Sequence, residues 1–401
     1  MNGTIFRAAT ALAALQLVAL PASALFNVRV EVFAGENLTY DSNIFRISRN
    51  LDAQSITGED RRGDSISTTS LGASLDAPYS LQRFQAGYTW FTNRYDHFKY
   101  LNYDGYSGRA AWLWSVTPEA TGDVGYTDSR ALANFANLTG TTDRDLVRTQ
   151  VAYGDALWFP VPSFRINLGT AEMRQTHDDP AQAFNDIETA AGLLAMGYVN
   201  ARDDRLGIEA RAERGRSPHD IDVGGTELSN GYRQQSIGVV GRWVATGLST
   251  LDARADWVRR QYDQPTVQDF SGPTLRLTHT WTPTGKLTVA SALYRDVAPL
   301  TAVQSANFVI ERGVSVKPRW QFTDKISVEG DAEYGILEYR GNLVTGEDFS
   351  YRVRTFGATL SYRPTQRILL QCGYVNEMRT ATIANADYRD NLFNISARVG
   401  F

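Results

Sequence analysis

The chain has 401 residues, 43% of them hydrophobic and 21% charged, with 40 Lys and Arg against 44 Asp and Glu, for a formal net charge of −4. That balance excludes the basic face a nucleic-acid binder normally carries, and a single Cys, Cys372, excludes an internal disulfide framework and a thiolate metal site. Its expected role is that of an inert, packed thiol.

The first element is a leader. Arg7 precedes an apolar run from Ala8 to Leu20, then Pro21 and the small-x-small stretch Ala22-Ser23-Ala24, so residues 1–24 read as a secretory signal peptide and the mature chain would begin near Leu25. Removing it takes away one Arg and no acid, which leaves 39 minus 44, a net charge of −5. Beyond it no apolar run approaches the ~18 residues a membrane helix needs. Aromatics are nevertheless 11% of the chain, with 19 Tyr and 8 Trp.

Downstream, one phrase keeps returning. TWTPTGKLTVASALY at Thr280 has relatives in LDAPYSLQRFQAGY at Leu75, WSVTPEATGDVGY at Trp114, WFPVPSFRINLG at Trp158, VNARDDRLGIEA at Val199, RWVATGLSTLDARADW at Arg242, RWQFTDKISVEGDAEY at Arg319 and SYRPTQRILLQCGY at Ser361. Their turns centre near residues 78, 118, 161, 202, 247, 284, 323 and 365, a spacing of 37 to 45 residues. Each turn is short, carries Pro, Gly, Asn or Asp, and joins two alternating segments of about 10 to 13 residues, the hairpin signal. A propeller blade has the same period but fits four short strands into it, whereas each period here holds two long ones. Between hairpins run longer polar loops, such as Ser48 to Asp64, Gly215 to Gly231 and Tyr339 to Phe349.

Short turns on one rim and long loops on the other are the asymmetry of outer-membrane barrels. Eight hairpins plus one strand at each end predict an all-β, transmembrane, antiparallel up-and-down barrel of about 18 strands, with 16 left open, forming a single domain over residues 25–401. The faces agree. Ile326, Val328, Gly330, Ala332 and Tyr334 oppose Ser327, Glu329, Asp331 and Glu333; Leu251, Ala253, Ala255 and Trp257 oppose Asp252, Arg254 and Asp256; Leu206, Ile208, Ala210 and Ala212 oppose Glu209, Arg211 and Glu213. Alternation with charge on every second residue fits a dry outside and a wet lumen, and in lipid such a sheet must close on itself.

Function is read from the two faces. Glu209, Arg211, Glu213, Asp252, Arg254, Asp256, Glu329, Asp331, Glu333 and Arg398 are expected to line the pore, as solvated wall or in contact with a permeating solute. Their mixed sign argues against a strongly anion- or cation-attracting channel. Trp114, Trp158, Trp243, Trp281 and Trp320 fall just before short turns, where a periplasmic aromatic girdle belongs. In the last strand Phe393, Ile395, Ala397, Val399 and Phe401 oppose Asn394, Ser396 and Arg398, and the terminal Phe401 resembles a barrel-assembly signal. The loop from Ser48 to Asp64 is placed to fold inward and narrow the channel, or to extend into solvent.

No G-x-S-x-G, P-loop, H-E-x-x-H or C-x-x-C occurs. The nearest approach to a catalytic cluster is His177-Asp178-Asp179 with His219-Asp220 in the outer loops, and the four His are too scattered in sequence for a zinc site. The reading is therefore no enzyme, no cofactor and no metal.

LTYDSNIFR at Leu38–Arg46, the repeated W-x-x-T hairpin phrase and the terminal NLFNISARVGF together resemble the β-barrel porin family that includes the EpsL-type outer-membrane proteins of exopolysaccharide operons. The likeness extends over about residues 27 to 401. It implies export or assembly of a secreted exopolysaccharide at the outer membrane, and with it such partners as outer-membrane lipid, the barrel-assembly machinery, the polymer and periplasmic export components. It implies no catalytic residue. Read locally, Asp41 and Asn43 suit the backbone of a turn where the first strand meets its loop, with a cation or sugar contact as the other reading. A general diffusion porin for small hydrophilic solutes is the alternative, and the residues alone do not separate the two.

Overall fold

The computed structural model describes residues 28–401 apart from 137–140, 220, 224–225, 229–230, 265–267, 299–307 and 341–347. The expected signal peptide at residues 1–24 and Asp220 of the second His-Asp pair therefore lie outside the described residues.

The chain runs β1 (Arg29–Asp41), β2 (Asp64–Tyr79), β3 (Gln82–Tyr95), β4 (Tyr103–Thr117), β5 (Ala120–Leu132), β6 (Leu146–Val161), β7 (Phe164–His177), β8 (Ile187–Val199) and β9 (Arg205–Arg216). After a short hairpin, β10 (Ile221–Val223) and β11 (Thr226–Leu228), it continues through β12 (Tyr232–Thr246), β13 (Ser249–Tyr262), β14 (Phe270–Thr284), β15 (Leu287–Ala298) and β16 (Phe308–Gln321). It ends with β17 (Ile326–Arg340), β18 (Phe349–Tyr362), β19 (Ile368–Ala381) and β20 (Tyr388–Gly400). Setting β10 and β11 aside, each strand pairs antiparallel with its chain neighbours, β9 pairs with β12, and β1 pairs with both β2 and β20. The sheet is thus a closed ring of 18 strands. Closure leaves no edge whose N–H and C=O groups would face hydrocarbon.

The short-turn rim explains the recurring phrase. In the β14–β15 turn Thr284 Oγ accepts from the N–H groups of Lys286 and Leu287, at 3.3 and 3.1 Å. Thr323 does the same for Lys325 and Ile326, at 3.2 and 3.1 Å, and Thr365 for Arg367 and Ile368, at 3.3 and 3.2 Å. The threonine that follows each Trp or Tyr by three residues supplies the turn with its internal acceptor. The tryptophan then stands on the outward face of the strand entering the turn.

The barrel strands run 12 to 16 residues, most of them longer than the 10 to 13 that the alternation predicts. The extra length lies at the long-loop end, where outward positions turn from apolar to charged and no longer display a hydrophobic period. Aromatic rings also cover places where the sheet is thin. A Cβ at Gly72 would lie 2.2 Å from the Phe33 ring, so that ring packs flat on the backbone, a position only glycine permits.

Cys372 corrects its expectation. It stands between Leu370 and Tyr374 on the outward face and is exposed rather than packed, because the alternation of β19 carries it to the lipid side.

Candidate functional site

The inward face of β9, β12 and β13 carries a connected charge ladder. Arg254 bridges Glu209 at 2.7 Å and Asp256 at 2.6 Å, and Arg211 reaches Glu213 at 3.5 Å. Glu213 also accepts from Tyr232 Oη at 2.7 Å, and the Arg260 guanidinium lies 4.3 Å above the Tyr232 ring. Asp252 is looser, 3.9 Å from Arg242. Further round the ring Glu329 meets Arg319 at 3.0 Å, Asp331 meets Lys317 at 2.8 Å, and Glu333 accepts from Tyr294 Oη at 2.8 Å. Arg398 pairs with Glu31 at 3.0 Å and sits 3.7 Å over Phe33 at the β1–β20 seam. All ten residues singled out in the sequence thus share the face opposite the exposed apolar stripe, and each acid has a basic or hydroxyl partner.

The mouth on the long-loop side is more than a rim of solvated loops. The segment after β1, which includes the helix α1 (Ala53–Thr57), folds back so that Ile44, Phe45 and Ile47 are buried against Phe98 and Leu101 of the β3–β4 loop and Phe135 of the β5–β6 loop. Phe45 meets Phe98 and Phe135 edge to face, with centroids 5.0 and 4.8 Å apart. This cluster rests on Ile66, Tyr95, Tyr103 and Val147, which point inward, so the loops pack inside the barrel rather than above it. The buried residues of this cluster precede the Ser48 to Asp64 segment, in which Ser48 and Ala53 are buried, Leu51 packs against the cluster and most other side chains are exposed.

Asp41 and Asn43 anchor that fold. Asp41 accepts from the Asn43 N–H at 2.8 Å and pairs with Arg46 at 2.9 Å, while the Asn43 side chain holds Ile47 O at 2.9 Å and Arg389 O at 3.2 Å. Arg46 adopts the left-handed region at φ 56° and reaches Asp390 at 3.1 Å. Burial alone would lower its pKa, but the Asp41 and Asp390 carboxylates outweigh that and hold it raised.

A link across the mouth had no sequence signal. Arg379 of β19 is buried between the Tyr351 and Tyr388 rings, at 4.5 and 4.4 Å, and donates to Ala386 O at 2.8 Å and to Ala136 O at 2.7 Å. Ala136 follows β5, six strands away round the ring. The start of the β5–β6 loop, at Ala136, is therefore tied by one guanidinium to a strand a third of the way round the ring.

The histidines separate. His177 Nδ1 lies 2.6 Å from Asp145 and its Nε2 contacts Gln175, so both ring nitrogens are engaged at the long-loop end of β7. Asp178 pairs with Arg130, Asp179 caps a turn through Ala181 N, and His219 lies 3.5 Å from Asp186. These contacts tie loops together and present no nucleophile to a base. Asp64, Asp96 and His97 do converge at ligand spacing. Asp64 is already spent on the N–H groups of His97, at 3.1 Å, and Phe98, at 2.9 Å, and so organises the β3–β4 loop.

Near the short turns Trp158, Trp243, Trp281 and Trp320 are 45 to 58% exposed on the outward face, whereas the half-buried Trp114 ring lies over Gly122. The sequence reading missed a second outward set nearer the long loops. Tyr88 stacks on Tyr106 at 5.9 Å and Tyr374 meets Phe393 at a tilt with centroids 4.6 Å apart, with Tyr40 and Trp90 exposed as well.

A closed ring with exposed apolar residues outside, aromatics toward both rims and charge inside is an outer-membrane β-barrel of the porin-like class. Residues 215–401, from the end of β9 to β20, match the family model described as "Putative beta-barrel porin 2". No curated protein matches. Among solved structures the chain is similar to the outer membrane protein OpdK from Pseudomonas aeruginosa, with 12% identity, TM-score 0.47 and coverage of 93% of this chain and 99% of that one. It is also similar to a BenF-like porin from Pseudomonas fluorescens, with 10% identity, TM-score 0.49 and coverage of 94% and 99%. The third, OccAB3 of Acinetobacter baumannii, has 10% identity, TM-score 0.48 and coverage of 94% and 100%. None of these findings carries exopolysaccharide export to this chain.

Proposed function

We propose that the protein is a diffusion porin admitting small hydrophilic solutes, with the mouth as its size filter and the inner wall as an aqueous, nearly self-neutralised lining. The observation that carries this reading is the bridge from Arg379 to Ala136, because a loop tied across the opening suits solutes of a few sugar units better than a polymer. The Glu209–Arg254–Asp256 ladder is consistent with it: wall charges compensated by their neighbours leave little net field to select ions. Trp114, Trp158, Trp243, Trp281 and Trp320 then mark the periplasmic interface, and Phe401, whose N–H donates to Val32 O at 2.8 Å, closes the seam as the barrel-assembly residue.

The test is conductance of the purified barrel in planar bilayers, with swelling of liposomes in sugars of graded size. Ohmic conductance, weak ion selectivity and a cut-off at small oligosaccharides are expected. Arg254→Gln should turn selectivity toward cations, since Glu209 and Asp256 lose their shared partner. A barrel that conducts nothing, in a strain whose deletion lowers secreted polymer, would restore the export reading.

A further inference from the structure

The lipid-facing surface is not uniform. Over β6 to β13 the outward side chains shrink to Gly154, Ala156, Gly192, Ala210 and Ala212, leaving a mostly apolar trough of about 950 Å³ walled by Leu168, Ile237 and Trp257. A Cβ at Gly192 would meet no atom within 4 Å, so the floor is open there.

At the long-loop end of this trough three outward arginines come together. Arg214 of β9 pairs directly with Arg233 of β12, and Arg259 of β13 pairs with Gln235, one outward position below Arg233. All three are exposed, and among the described residues no carboxylate lies within ion-pair distance of them. The acids on the same face are Glu188, already held by Arg174 and Arg216, and Glu172, which lies beyond Ala190 from Arg214. Like charges set side by side on a sheet oppose each other, and an anion against this arrangement relieves that repulsion.

Depth identifies the anion. Arg233 stands ten residues above the interfacial Trp243, and at ~3.4 Å per residue with a ~40° tilt that is a climb of roughly 26 Å, the height of a barrel's apolar band. The guanidinium groups therefore lie where outer-leaflet phosphates lie. We propose that this face holds a phosphorylated glycolipid of the outer leaflet, its phosphate on Arg214, Arg233 and Arg259 and its acyl chains along the trough. A second copy docked through the same face would set these arginines against their own counterparts.

The test is native mass spectrometry of the barrel purified from outer membranes. Bound phosphoglycolipid is expected, and Arg214→Gln, Arg233→Gln and Arg259→Gln together should lower retention at least about tenfold. Gly192→Leu, which fills the trough, should lower it as well. Arg352→Gln with Arg354→Gln, exposed on β18 away from the trough, should retain lipid and controls for folding and general charge. Added to delipidated protein, phosphorylated lipid A should bind and its dephosphorylated form should not. Unchanged retention in the triple variant, equal binding of the dephosphorylated lipid, preference for phosphatidylglycerol, or a lipid-free dimer broken by Gly192→Leu would each overturn the proposal.

Discussion

Arg379 concentrates several contacts in one side chain: two backbone carbonyls and two aromatic rings on a guanidinium withdrawn from solvent. Hydrogen bonds to a charged group contribute ~1.5–3 kcal/mol each. Arg379→Ala is therefore expected to free the β5–β6 loop, raising single-channel conductance and current noise while the barrel stays folded. Unchanged conductance would show that the loop does not gate the mouth. Asp204, in the β8–β9 turn, tests the opposite rim. It accepts from Val244 N at 2.7 Å and from the Asn200 side chain at 2.7 Å, and these hydrogen bonds lower its pKa. A lowered folded pKa means stabilisation that is present above the ordinary Asp value of ~3.9 and lost as pH falls through the folded one. Asp204→Asn should thus lower the unfolding temperature at neutral pH, and thermal scans should show the difference closing in strong acid.

Among the elements, β12 carries the clearest contrast between faces. Val239 points out, four residues from Trp243 and close to the bilayer centre, while Val240 points in beside Arg254. Val239→Arg should cost about 2–4 kcal/mol in reversible unfolding from lipid, and Val240→Arg should cost little. Equal costs would contradict the register. This alternation, the hairpin period and the ring of 18 were legible in the sequence because each is written in local periodicity. That the residues from Glu209 to Arg398 share the face opposite the apolar stripe followed from the same rule. What was hidden depends on distant segments meeting: Arg379 with Ala136, Phe45 with Phe135, His177 with Asp145. No spacing along the chain encodes those pairs. The three outward arginines were present in the sequence too, but they interrupt the apolar period and so resemble loop residues until the pairing of β9, β12 and β13 sets them side by side.

For the molecule as a whole, stability comes less from a buried core than from the closed ladder and from lipid on its apolar face. The three apolar clusters among the described residues gather near the long-loop end, where Val258, Phe270, Val297 and Phe308 form one and Val309, Tyr339, Phe349 and Tyr351 another. Packing thus rigidifies the mouth, while the middle of the barrel is left to the charged wall. The ring itself is tested most directly by spin labels placed one at a time along Ser236, Ile237, Gly238, Val239, Val240 and Gly241 of a Cys372→Ser barrel in liposomes, with collisional relaxation by oxygen and by a water-soluble nickel chelate. A strict two-residue alternation is predicted, oxygen dominating at 237, 239 and 241 and the chelate at 236, 238 and 240. Labels that respond alike at every position, or in the inverse phase, would contradict a water-filled ring with hydrocarbon outside it.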